Sequence, residues 1–198
     1  MNNILKLLIL SLFLFSTNSL NASTQLNFSK NNSFDEQTLK RVNSWKKMKK
    51  LAEDKNILNK LKLVNNYFNK LSFRSDIDNW KTEDYWATPF EFLTSGFGDC
   101  EDYAIAKYYT LRQLGINKEK LKLTYARLTK NNQAHMVLSY YHKTNFVPII
   151  LDNINKKLQL STKRKDLKKI RVFENENILN RFKLQIRNKI KINEILKY

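Results

Sequence analysis

One cysteine, three glycines, two prolines and two histidines are all that this 198-residue chain holds of those types. A single thiol excludes an internal disulfide, so an exported chain would carry Cys100 as a free thiol through an oxidising compartment. Two histidines, His135 and His142, leave few partners for thiol–imidazole chemistry. The scarcity of glycine makes its placement informative, because Gly96 and Gly98 stand just before the cysteine. Glycine there lets the backbone turn tightly and approach another group closely. Long apolar runs are missing too. Leu7 to Phe15, interrupted by Ser11, is too short to span a bilayer as a stable helix.

That run follows Lys6 and precedes a polar patch ending at Ala22, the pattern of a secretory signal over residues 1–22. Residues 23–33 are polar and read as a disordered linker. The formal net charge of +18 invites a nucleic-acid or membrane-surface reading. No nucleic-acid motif accompanies it, and lysine, asparagine and isoleucine are abundant throughout, so a compositional bias explains the charge better.

Ser33 to Glu36 has capping-box spacing and predicts a helix through about Asp54, with Val42, Trp45, Met48 and Leu51 or Ala52 inward. A second helix is predicted from Asn56 to Leu71, with Leu61, Val64, Phe68 and Leu71 inward. From Ser72 to Thr88 the periodicity stops, and a long loop of this kind is often functional. Thr88-Pro89-Phe90-Glu91 is a capping box with proline at the first helical position. Cys100 to Leu114 predicts a buried helix stopped by Gly115, with Cys100, Ala104, Tyr108 and Leu111 on one face. Period-two alternation then predicts strands from Leu121, over Gln133 to Tyr141, over Phe146 to Leu151 and over Lys168 to Phe173. The fold class is therefore α+β, one domain over residues 34–174. A basic helical tail over 175–198 is read as a solvated helix face.

Cys100 in the first turn of a helix lies where the dipole favours a thiolate. His135 and His142 differ by seven positions and face opposite sides of one strand, so at most one looks toward the thiol. A hairpin centred on Lys143-Thr144 sets His135 directly across from Asp152. Together Cys100, His135 and Asp152 form a nucleophile, base and orienter. Asp99, Glu101 and Asp102 crowd the thiol and oppose its ionisation. They either cap the helix or bind a hard cation such as Ca²⁺, and the residues alone leave both open.

Asp84-Tyr85-Trp86-Ala87-Thr88-Pro89-Phe90-Glu91-Phe92-Leu93 and Gly98-Asp99-Cys100-Glu101-Asp102-Tyr103-Ala104-Ile105-Ala106-Lys107 carry a further signal. With Leu123-Thr124-Tyr125, His135-Met136-Val137-Leu138 and Leu151-Asp152-Asn153 in the same order, the chain resembles the bacterial transglutaminase-like cysteine proteinases, specifically the LapG-type adhesin proteases. The resemblance implies a papain/transglutaminase-like core, its nucleophile at the start of a buried helix packed on an antiparallel sheet. It implies Cys100, His135 and Asp152 as catalytic residues, and a calcium ion at Asp99, Glu101 and Asp102. The family acts in the periplasm, cleaves the N-terminal region of large biofilm adhesins, and is restrained by the periplasmic domain of an inner-membrane cyclic-di-GMP receptor. Trp86 is a candidate second donor to the oxyanion, with plain aromatic packing as the alternative. Transglutaminase or amidase chemistry would use the same three residues, and a non-catalytic basic envelope module would use none.

Overall fold

The computed structural model describes residues 34–173; the expected signal segment, linker and basic tail lie outside them, as does Ser33. Helix α1 (Glu36–Ala52) buries Met48 and Ala52 while Leu51 is exposed, so Ala52 closes its inward stripe. Helix α2 (Ile57–Phe68) is capped by Asn56, whose side chain accepts from Asn59 N at 3.0 Å. Leu61, Val64 and Phe68 are buried as the spacing predicts, and the helix ends three residues before Leu71.

The aperiodic stretch after it carries short ordered elements. Strand β1 (Ser72–Phe73) is followed by the five-residue helix α3 (Asp76–Trp80), capped by Ser75. Helix α4 (Pro89–Ser95) starts with the expected box: Thr88 Oγ1 accepts from Glu91 N, and Glu91 Oε2 accepts from Thr88 N. It ends at Gly96, in the left-handed region at φ 75°. Strand β2 (Phe97–Gly98) then pairs parallel with β1, Phe73 lying opposite Gly98.

Gly98 sits against a wall. A Cβ there would lie 2.6 Å from Asp102 Oδ2 and 2.8 Å from the Phe92 ring. Gly98→Ala should destabilise the chain by about 1–3 kcal/mol, the usual cost of overpacking, read as a lower urea midpoint.

Helix α5 (Cys100–Gln113) is the centre of the molecule, lying between α2 and α4 on one side and strands on the other. It is buried around nearly its whole circumference, not on one face as its apolar spacing suggests. The five-stranded antiparallel sheet has the order β6-β5-β4-β3-β7, from β3 (Leu121–Leu128), β4 (Ala134–Tyr140), β5 (Ile149–Leu151), β6 (Gln159–Leu160) and β7 (Leu167–Phe173). Helices on one layer of antiparallel sheet make this an α+β fold.

The β4–β5 register corrects the predicted pairing. Leu138 faces Leu151 and Tyr140 faces Ile149, which centres the loop on Thr144-Asn145. His135 is therefore not directly across from Asp152; Asp152 continues the register opposite Val137, one diagonal step away on the same face. Diagonal neighbours remain within reach of an imidazole.

Lys107, on α5, is fully buried and donates to Asn69 Oδ1 at 2.8 Å. Burial lowers its amine to about 7. The unfolded amine titrates near ~10.4, so the folded chain binds fewer protons between these values and stability rises with pH across them. Unfolding midpoints from about pH 7 upward should show this rise, and Lys107→Met should flatten it.

Candidate active site

Cys100 is the first residue of α5, positioned by the glycine turn and by the β1–β2 pair. Arg74 N donates to Gly98 O at 2.9 Å and so ties the two segments together. Asp99 occupies the N-cap position, and its backbone N–H reaches Asp102 Oδ2 at 3.4 Å. The thiol is half-buried and donates to Glu101 Oε2 at 3.0 Å; in turn Sγ accepts from the Met136 backbone. The start of β4 is thus brought against the thiol. Burial and the Glu101 carboxylate push the thiol well above its ordinary pKa.

His135 and Asp152 are both buried, with Nε2 of the imidazole 2.8 Å from Asp152 Oδ1. Ile154 N donates to the same oxygen at 2.9 Å, and Arg164 Nη2 donates to Oδ2 at 2.5 Å. Despite its burial, the carboxyl is held well below the usual carboxylate range by His135 and Arg164. An ionised Asp152 accepts, so neutral His135 carries its proton on Nε2 and keeps a lone pair on Nδ1. Asn69 Nδ2 donates to the Asp152 carbonyl at 2.8 Å, joining the dyad to Lys107. His142 lies beyond the end of β4 against Phe146, in the exposed loop.

Cys100 and His135 line one cleft of about 850 Å³, with Trp86, Tyr125 and Phe173 among its walls and Phe73 at an exposed edge. The Trp86 indole donates to Asp84 Oδ1 at 3.0 Å and its ring meets Phe173 edge-on. That N–H is already engaged, which favours the packing role over oxyanion donation.

The acids gather in two overlapping sets. Ligand atoms of Asp99, Cys100 and Glu101 lie within 4.8 Å of one another, and so do those of Asp76, Asp99 and Asp102. Asp76 is the member that sequence reasoning missed. Its Oδ2 accepts from Tyr85 N at 2.6 Å, while its Oδ1 and Asp99 Oδ1 are buried without a hydrogen-bond partner. Asp102 is tied to the chain by Ala87 N, at 2.7 Å from Oδ1. Burial, reinforced by neighbouring acids, pushes Asp76 up to about 6 and Asp99 up to about 10, and raises Asp102 well above its ordinary value. Clustered carboxyl groups, two of whose buried oxygens have no donor, fit a hard divalent cation.

A buried helix carrying a thiol at its start, laid on an antiparallel sheet that presents a histidine–aspartate pair, defines a cysteine proteinase of the transglutaminase-like class. Residues 25–171 match the family model of the bacterial transglutaminase-like cysteine proteinases BTLCP, and the chain belongs to that family. Among solved structures it is similar to calcium-bound LapG of Legionella pneumophila, at 38% identity and TM-score 0.67, over 72% of this chain and 79% of that one. The EGTA-treated form of the same protein matches at 37% identity and TM-score 0.67, over 72% and 76% of the two chains. A search of curated proteins gives no match.

Proposed function

We propose that this chain is a calcium-dependent periplasmic cysteine endopeptidase that cleaves the N-terminal region of a large surface adhesin. Release of the adhesin would end attachment in a biofilm. The observation that carries the reading is the 2.8 Å His135–Asp152 bond beside Cys100 in one cleft. Family membership and the calcium-bound form of the Legionella relative support it. Binding to the periplasmic domain of an inner-membrane cyclic-di-GMP receptor belongs to the same proposal.

In this mechanism His135 Nδ1 takes the proton of Cys100, and Sγ attacks the scissile carbonyl carbon. Asp152 holds the imidazolium through Nε2. The Cys100 backbone N–H, which the first turn of α5 leaves without an intrahelical partner, supports the oxyanion. The tetrahedral adduct collapses to a thioester as the departing amine takes the proton from His135. Water, deprotonated by the same imidazole, then hydrolyses the thioester. Asp76, Asp99, Glu101 and Asp102 are the residues that would hold calcium. Its positive charge would offset the carboxylates that oppose thiolate formation.

The test incubates the full chain with a purified adhesin N-terminal region in calcium and in EGTA, reading fragments by mass. One internal cut, present in calcium and absent in EGTA, is expected. An intact substrate in both, or cleavage indifferent to EGTA, overturns the reading.

A further inference from the structure

The guanidinium of Arg164 is buried and gripped on both sides. Asp166 accepts from Nε at 2.8 Å and from Nη2 at 2.7 Å, a two-pronged contact that fixes the guanidinium plane. From that plane Nη2 reaches Asp152 Oδ2, whose other oxygen serves His135 and Ile154. Nη1 is buried without a hydrogen-bond partner, so the group's polar contacts fall on the two carboxylates. We propose that Arg164 is a positioning residue for the cysteine chemistry: it fixes the Asp152 carboxylate, and through it sets the His135 imidazole facing Cys100. This inference rests on the function proposed above.

The argument is one of direction. A buried ion pair is a weak source of net stability, so stability alone does not explain one placed behind a reacting imidazole. Arg164 supplies a positive charge that does not titrate, so its grip on Asp152 Oδ2 persists whichever state the imidazole is in. It also fills Oδ2, so the carboxylate cannot rotate to offer that oxygen to the imidazole. Lysine, lacking a planar fork, cannot hold Asp152 and Asp166 in this way.

The experiment compares full-length wild type, Arg164→Ala and Arg164→Lys by two readouts that need no substrate. Imidazole ¹⁵N signals report which His135 nitrogen carries the proton; with two histidines in the chain, His135→Gln assigns them. The rate of Cys100 alkylation by iodoacetamide reports the thiolate. Arg164→Ala should melt as a folded protein, lose the fixed Nε2-protonated signature, and react about 10- to 100-fold more slowly, by analogy with the loss when the partner behind a metal-ligating imidazole is removed. Millimolar guanidinium should restore both readouts, and Arg164→Lys should restore them only in part. If Arg164→Ala does not fold, Asp166→Asn, which loosens the fork without removing it, should show an intermediate loss. Wild-type signals and rates in a folded Arg164→Ala, or in Asp166→Asn where the alanine variant does not fold, overturn the proposal. Alkylation of the wild type that does not depend on His135 overturns the proposed function instead, and the ¹⁵N signals then still decide whether Arg164 sets the imidazole.

Discussion

Cys100→Ala should abolish the proposed adhesin cleavage, a loss of about 10⁴-fold or more in kcat/KM, while leaving the chain folded. The side chain is half-buried at the start of α5, and alanine keeps its β-carbon, so little packing is lost. His135→Ala should cost about as much. The informative variant is the double one, because a nucleophile and its base act as a unit and their losses do not add. A double variant no worse than either single one is the expected result. Losses that multiply would show two residues working independently, and the proposed mechanism would fall.

Removing calcium should have the next largest effect. At about a thousand times its dissociation constant, a ligand of the native state adds about 4 kcal/mol, on the order of 10 °C in melting temperature for a domain of this size. The gain should concentrate on Asp76 and Asp99, whose buried Oδ1 atoms have no hydrogen-bond partner. Asp76→Asn should therefore stabilise the chelated chain and shrink the increment that calcium provides. Melting in calcium and in EGTA, for wild type and variant, isolates the difference. In EGTA the pH dependence has a definite sign. Asp76 is raised to about 6 in the folded chain. Its contribution is present below the unfolded value near ~4 and is lost as pH rises through the folded one. Stability in EGTA should thus fall across that window and level out in calcium. Equal melting temperatures with and without calcium would remove the ion from this site.

Features set by neighbours in the chain were legible in the sequence. The Thr88 box, the stop at Gly115 and the start of the thiol helix at Cys100 depend on residues a few positions apart, and each lies where the spacing predicts. Features set by distant pairing were less so. The hairpin register was predicted two residues out in pair sum, because Lys143-Thr144 does not reveal that the loop runs from Tyr141 to Pro148. The approach of His135 to Asp152 survives, since a slip of two preserves the face. Asp76 was visible as an acid in an irregular stretch, but it joins Asp99 and Asp102 through the two-residue β1–β2 pair, too short to leave a pattern. Arg164 stands between Lys163 and Lys165, in a run that reads as solvated charge. The burial of Lys107 follows from packing on all sides of α5, which the one-faced spacing of Cys100, Ala104, Tyr108 and Leu111 does not reveal.

The strand order has a consequence for the newborn chain. Cys100 emerges before every strand of the sheet that covers its helix, and the last of these, β7, must return to pair with β3. Arg164, the partner of Asp152, also arrives late, just ahead of β7. A chain threading out N-terminus first therefore carries its thiol for some sixty residues without the carboxylate clamp behind the imidazole. Such long-range closure is slow compared with the formation of a local helix. Hydrolytic competence would be the final property acquired, so the order of synthesis itself would guard the unfinished chain against its own chemistry.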